Sequence, residues 1–248
     1  MTDQLPQPLS YHTPLGHSYL PLPPRAKPTV ILLWVMMGIS LATAPLGLVA
    51  SNIQQPGTVT PANSSQLLAF GLAMIAFGCF TLALYIATAV FFLMWTYRAN
   101  NNLRVLGTLG MQFTPTWSII WWFIPFANWV VPFFILRELY AASGGTAPGQ
   151  VTWRNNPTSP LLIIWWLTWV GAALLSIVGS VLPMFQDPNL TTISGWFNLG
   201  SNLASAGGAV CAALLVGKIT ERIENRALAQ PVATPSTFPT TLTVQANP

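Results

Sequence analysis

Four stretches of this chain run for more than twenty residues without an Asp, Glu, Lys, Arg or His: Val30 to Ala50, Leu67 to Tyr97, Leu161 to Leu182 and about Gly195 to Val216. A helix rises 1.5 Å per residue, so the first alone makes roughly 31 Å, which matches the ~30 Å hydrocarbon core of a bilayer. A water-soluble bundle of this length needs charge to cover its surface. Nine Lys/Arg and five Asp/Glu make only 6% of the chain charged, while 52% of it is apolar. An ordinary soluble domain is about a quarter charged. The expected fold is therefore all-α, an integral membrane four-helix bundle.

The four runs differ in detail. The first imitates a signal-peptide cleavage site at Ala42-Thr43-Ala44, but it is too long and follows no short basic region, so it is read as an uncleaved helix. The second exceeds a minimal span by about ten residues and must tilt or project. The third begins after Pro160 and is stopped by Pro183, and the fourth is closed by Lys218. On the fourth, Gly200, Ala204, Gly208 and Ala212 recur every four positions, a small-residue stripe that lets a neighbouring helix approach closely. The same run holds Asn198 and Asn202, one turn apart with Ser201 and Ser205 nearby, read as interhelical hydrogen bonding, with a polar binding spot as the other reading.

A membrane domain over residues 29–226 is flanked by segments too rich in Pro, Thr, Ser and Gln to build a core. Residues 1–28, with seven prolines, are expected to be a disordered cytoplasmic tail, and 227–248 a second one. Pro21-Leu22-Pro23-Pro24-Arg25 has polyproline II character; it is read as a spacer ending in positive charge, the alternative being a ligand for an aromatic groove. After the fourth span, "KITERIENR" reads as a short charged helix that stops transfer.

Between the second and third spans lies "FTPTWSIIWWFIPFANWVVPFF", residues 113–134, long enough to cross and free of charge. Cytoplasmic loops collect Lys and Arg. If the segment crosses, Arg25, Lys27, Arg98 and Arg104 face one side and Arg137, Arg154, Lys218, Arg222 and Arg226 the other, which sets no orientation. If it does not, all nine share one side, and both termini are cytoplasmic. Pro125 and Pro132 remove backbone donors around Asn128, and Trp117, Trp121, Trp122 and Trp129 suit the headgroup zone. The segment is thus expected to be interfacial or shallowly re-entrant on the cytoplasmic side, with a kinked fifth span as the alternative.

From Tyr97 to Tyr140 the order and spacing of Arg98-Ala99, Asn102-Leu103, Phe113-Thr114-Pro115, Trp117, Trp121-Trp122-Phe123-Ile124-Pro125, Asn128, Pro132 and Glu138-Leu139 resemble a bacterial membrane family known only as domain of unknown function 4328. The likeness extends loosely over Val30 to Arg226. Tyr140 stands where a tryptophan is more usual, and Trp129 where an aliphatic residue is expected. The resemblance implies a multi-span bacterial membrane protein and no activity.

The residues themselves argue against enzyme chemistry, which needs a base or nucleophile held beside a partner. Glu138 and Asp187 have no such partner in the sequence, and His12 and His17 lack further metal ligands. Cys79 and Cys211, inside apolar runs, read as packing residues. No catalytic residue, cofactor or metal is expected. Arg98, Arg104, Arg137 and Glu138 are expected to form an ion-pair cluster where the Trp-rich element meets the helix ends, or to meet anionic lipid headgroups. The absence of charge within the spans speaks against proton relays and coupled transport. The expected function is a non-enzymatic scaffold or interaction module of the cell membrane. Its partners would be membrane lipids, with self-association or a membrane-protein partner, and no nucleic acid. The alternative is a pore or transporter for a neutral or lipid-like solute. A continuous polar path would favour transport, and a dry, close-packed bundle the scaffold.

Overall fold

The computed structural model describes residues 19–53, 64–145 and 152–229, and every regular element among them is helical. In chain order these are α1 (Pro23–Thr43), α2 (Leu46–Ile53), α3 (Ser64–Val105), α4 (Trp117–Ile120), α5 (Ala127–Ser143), α6 (Pro160–Val181) and α7 (Pro188–Ala229), with 3-10 turns at Thr152–Asn155 and Leu182–Phe185. Four stretches are long and apolar enough to cross a membrane: Pro23–Val49, Leu68–Val105, Pro160–Phe185 and Pro188–Ala229. The chain is an all-α membrane bundle of four such helices. The tail residues before 19 and after 229 lie outside the described residues.

α7 is the axis. Half of its apolar stretch is buried inside the protein, against 6%, 11% and 17% for the stretches containing α1, α3 and α6. α1, α2 and α6 all pack along it. The small residues make this approach close: a Cβ at Gly208 would meet Thr168 Oγ1 of α6 at 3.2 Å, and one at Gly200 would meet Leu175 at 3.4 Å. Ala212 is buried on the same helix and Ala204 is half-buried. By contrast the first half of α3 stands clear of the bundle. Leu68, Leu72, Ile75, Phe80 and Leu82 are 58% to 65% exposed, an apolar surface that water would not tolerate and a bilayer covers.

Several boundaries differ from the sequence reading, each for a local reason. The supposed tail ends before residue 28, because α1 starts at Pro23. Pro23 and Pro24 occupy first-turn positions where a missing N–H costs nothing, so the proline run starts a helix in place of a polyproline spacer. Leu22 is fully buried. The first span is not one helix: Pro45 cannot continue it, and α1 gives way to α2 around Ala44, whose N–H caps onto the Ser40 carbonyl at 3.0 Å. The fourth span does not stop at Val216. "KITERIENR" is the continuation of α7, whose 42 residues make roughly 63 Å, about twice a hydrocarbon core.

All nine Lys and Arg lie toward one end of the bundle: at the start of α1, the end of α3, along α5, in the turn after it, and on the last turns of α7. Direct contacts tie these pieces together. Tyr19 Oη and the Leu22 N–H both donate to Glu224 Oε1 near the end of α7, at 2.7 and 2.8 Å. Trp95 of α3 donates through Nε1 to Thr220 Oγ1 at 3.0 Å.

Candidate functional site

Several of the residues of the family stretch meet at this basic end, around an irregular stretch, residues 107–113, of which only the Gly107 and Thr108 N–H groups bond back to α3, to the Arg104 and Leu103 carbonyls at 3.0 Å. Gly107 and Gly110 take positive φ of 79° and 74°, conformations that glycine adopts freely, and turn the chain after α3. Side chains then satisfy its backbone. Trp153 Nε1 donates to the Leu109 carbonyl and Arg154 Nη2 to that of Gly110, both at 2.7 Å. Arg104 Nη2 reaches the carbonyls of Met111 (3.3 Å) and Phe113 (2.8 Å). Asn100 Nδ2 gives Phe113 O a second bond at 2.9 Å, while its Oδ1 receives Arg104 Nε at 3.1 Å. From the opposite side Glu138 accepts the N–H groups of Gln112 at 2.8 Å and Phe113 at 3.2 Å. Buried backbone groups must be paired, and here α3 and the Thr152–Asn155 turn hold the carbonyls while α5 holds the amides of residues 112 and 113. The stretch is clamped.

The expected ion-pair cluster therefore takes another form. Arg104 and Glu138 influence each other electrostatically, but neither bonds the other: Glu138 accepts from backbone N–H groups, and Arg104 donates to backbone carbonyls and to Asn100 Oδ1. Burial raises the Glu138 carboxyl above its ordinary value; the two N–H donors and the positive charges of Arg104 and Arg154 pull it part of the way back. Arg98 sits on the other side of α3, its Nη1 3.5 Å from the Pro21 carbonyl, and Arg137 is exposed on α5. These two do not join the clamp.

The Trp-rich segment leaves this end and comes back to it. Trp153 touches Leu109, and Arg226 of α7 donates both to Thr108 Oγ1 (3.2 Å) and to the Ala142 carbonyl (2.7 Å), so the flanks on both sides of residues 113–134 meet. Between them the chain makes α4, a run of turns, and then α5, with its tip at Phe126, a non-glycine residue at φ 63° that is 89% exposed. Pro125 precedes that tip, and Pro132 is buried inside α5. Trp122 packs between α3 and α6: its ring lies 5.4 Å from Phe92, 6.5 Å from Trp165 and 5.8 Å from Trp169. Trp117 and Trp121 pair at 5.5 Å, and Trp166 Nε1 donates to the Trp129 carbonyl at 2.7 Å. Two buried polar atoms of this hairpin, Trp122 Nε1 and Asn128 Oδ1, have no hydrogen-bond partner among the described residues.

At the far end, Asn202 Oδ1 accepts from Thr43 Oγ1 at 3.2 Å, Asn202 Nδ2 donates to the Asn198 carbonyl at 2.9 Å, and Ser201 Oγ donates to Ala172 O at 2.9 Å. Asn198 is wedged against Gly47 of α2 and Gly179 of α6, where an added Cβ would come within 2.9 and 2.8 Å of it. These polar groups join helices. Sequence reasoning missed Asn100, Trp153, Arg154, Glu224 and Arg226, whose partners are brought near only by the fold. No group of three His, Cys, Asp or Glu among the described residues could hold a metal.

Four apolar helices and an outward apolar surface define a multi-pass helical membrane protein. Residues 61–221 match the family described as Domain of unknown function (DUF4328), and the chain belongs to it. No curated protein and no solved structure matches the chain.

Proposed function

We infer that this is a non-enzymatic scaffold or interaction module of the bacterial cytoplasmic membrane, with both termini in the cytoplasm. Lipids are its immediate partners, joined by further copies or other membrane proteins, with no nucleic acid. The observation that carries the reading is the clamp: three polar residues of the family stretch, Asn100, Arg104 and Glu138, direct their hydrogen bonds to the chain's own backbone or to each other. Groups held this way shape a surface; a reactive group has to face a substrate. Asn202 and Ser201 of α7 likewise bond to neighbouring helices, which supports a close-packed bundle over a polar path.

The positive end supports a cytoplasmic assignment for both termini. The hairpin supports a shallow re-entrant placement of residues 113–134. Trp122 meets Phe92, six residues inward of Arg98 on α3, a depth of roughly 9 Å on a helix. Irregular backbone at that depth is tolerated when protein covers it, as Phe92, Trp165 and Trp169 cover Trp122. One observation favours the alternative, passage of a neutral or lipid-like solute: the unpartnered Trp122 Nε1 and Asn128 Oδ1 leave hydrogen-bonding capacity inside the hairpin. Proteoliposomes carrying the purified protein separate the two. The scaffold reading expects glycerol and urea flux equal to that of empty liposomes, and proximity labelling in the native host that returns a reproducible set of membrane neighbours. Flux that needs the protein and falls on Asn128→Leu would replace it with transport.

A further inference from the structure

Two arginines of the basic end that take no part in the clamp, Arg25 and Arg98, line the same cleft. A cleft of about 260 Å³ opens between the start of α1 and the end of α3, where Arg25 and Arg98 line it with Asn101 and Tyr97. Its remaining walls include Met94 and Ile119. Neither guanidinium has found a carboxylate there: Arg25 Nη1 rests on the Met94 thioether at 3.3 Å, a weak acceptor, and Arg98 Nη1 lies 3.5 Å from the Pro21 carbonyl. Among the described residues no acidic side chain lines the cleft. Each guanidinium carries five donors, and two of them with an amide and a phenol make a donor-rich, doubly positive recess.

Its position decides what it suits. Arg98 is the residue at which the apolar run of α3 ends, so the cleft sits where hydrocarbon gives way to headgroups. Its rim includes exposed apolar side chains: Leu20 is 44% exposed and Tyr97 40%. A ligand with a phosphate at one end and acyl chains at the other satisfies both halves, whereas a free anion would leave the apolar rim against water. Resting on the reading of this chain as a lipid-contacting membrane scaffold, we propose that the Arg25–Arg98 cleft binds the headgroup of an anionic phospholipid. The phosphodiester lies between the two guanidiniums, and the acyl chains run down α3 past Met94.

Native mass spectrometry of the full chain in detergent, titrated with phosphatidylglycerol or phosphatidylcholine, tests this. The wild type should retain phosphatidylglycerol preferentially. R25Q/R98Q should bind it about tenfold or more weakly, since each lost charge-assisted hydrogen bond is alone worth that much. K218Q, which removes an exposed charge outside the cleft, should bind as wild type does. Ile119→Trp fills the recess without altering charge and should also weaken binding, which keeps the test decisive if the double variant folds poorly. Undiminished phosphatidylglycerol binding in both cleft variants, or equal weakening by K218Q, would overturn the site in favour of diffuse surface attraction. Inorganic phosphate that competes as well as the lipid, with the same arginine dependence, would overturn the lipid assignment. Solute flux bears on the scaffold reading alone, so the two can fail separately.

Discussion

At the scale of single residues, Glu138 shows how little a charge in the sequence says about its use. It reads as an ion-pair partner for Arg98, Arg104 or Arg137, yet its two oxygens hold the amides of residues 112 and 113, twenty-five and more positions away. Glu138→Gln keeps the shape but sets an amide NH₂ against one of those N–H groups. Leaving a buried donor unsatisfied costs about 1 to 3 kcal/mol, so a lower melting temperature in detergent is expected. The pH dependence has a definite sign. Burial raises this carboxyl in the folded protein, so between its ordinary and its raised value the unfolded chain has lost the proton while the folded one keeps it. Stability from this group is full at low pH and declines as pH climbs through that window. The melting-temperature gap between wild type and Glu138→Gln should therefore narrow with rising pH; a gap that widens would mean that the ionised form is the stabilising one. None of this was legible in the sequence, because the acceptor role exists only once the chain turns at Gly107 and Gly110. That Arg104 and Glu138 share one locality, by contrast, was expected from the sequence, which grouped them where the Trp-rich element meets the helix ends.

At the scale of elements, the four apolar runs were readable because composition and length alone define a span. Their ends were not. Proline carries opposite meanings at positions a few residues apart: Pro23 opens α1, Pro45 breaks the first apolar run, and Pro132 is absorbed into α5. Only tertiary packing distinguishes these, as where Leu22 is buried beside Glu224 and pins the start of α1. The small residues of α7 were read as a packing stripe, and the structure sets Gly200 and Gly208 against α6. Gly208→Leu must force Thr168 away, and overpacking of this kind costs roughly 1 to 3 kcal/mol. Gly78→Leu on α3, where nothing lies within 4 Å of an added Cβ, is the matched control. Thermal unfolding in detergent should show a clear loss for the first and little change for the second. Equal behaviour would mean that α6 and α7 do not meet at Gly208.

At the scale of the whole molecule, the return of the Trp-rich hairpin to its starting end makes topology a matter of parity. Gln112 and Asn155, both exposed, flank that excursion, and Asp187 lies exposed between α6 and α7 at the opposite end. In a background lacking Cys79 and Cys211, Gln112→Cys and Asn155→Cys should resist a membrane-impermeant thiol reagent on intact cells and react after permeabilisation. Asp187→Cys should react from outside. Labelling of Asn155→Cys from outside, with the other two protected, would restore the fifth crossing. The central place of α7 has a consequence of a different kind. It is the last of the described helices to be synthesised, yet it is the one on which α1, α2 and α6 pack. Translation thus delivers the outer pieces before the surface that unites them exists. Until α7 has emerged, α1, α2 and α6 lack the surface on which they pack in the finished protein.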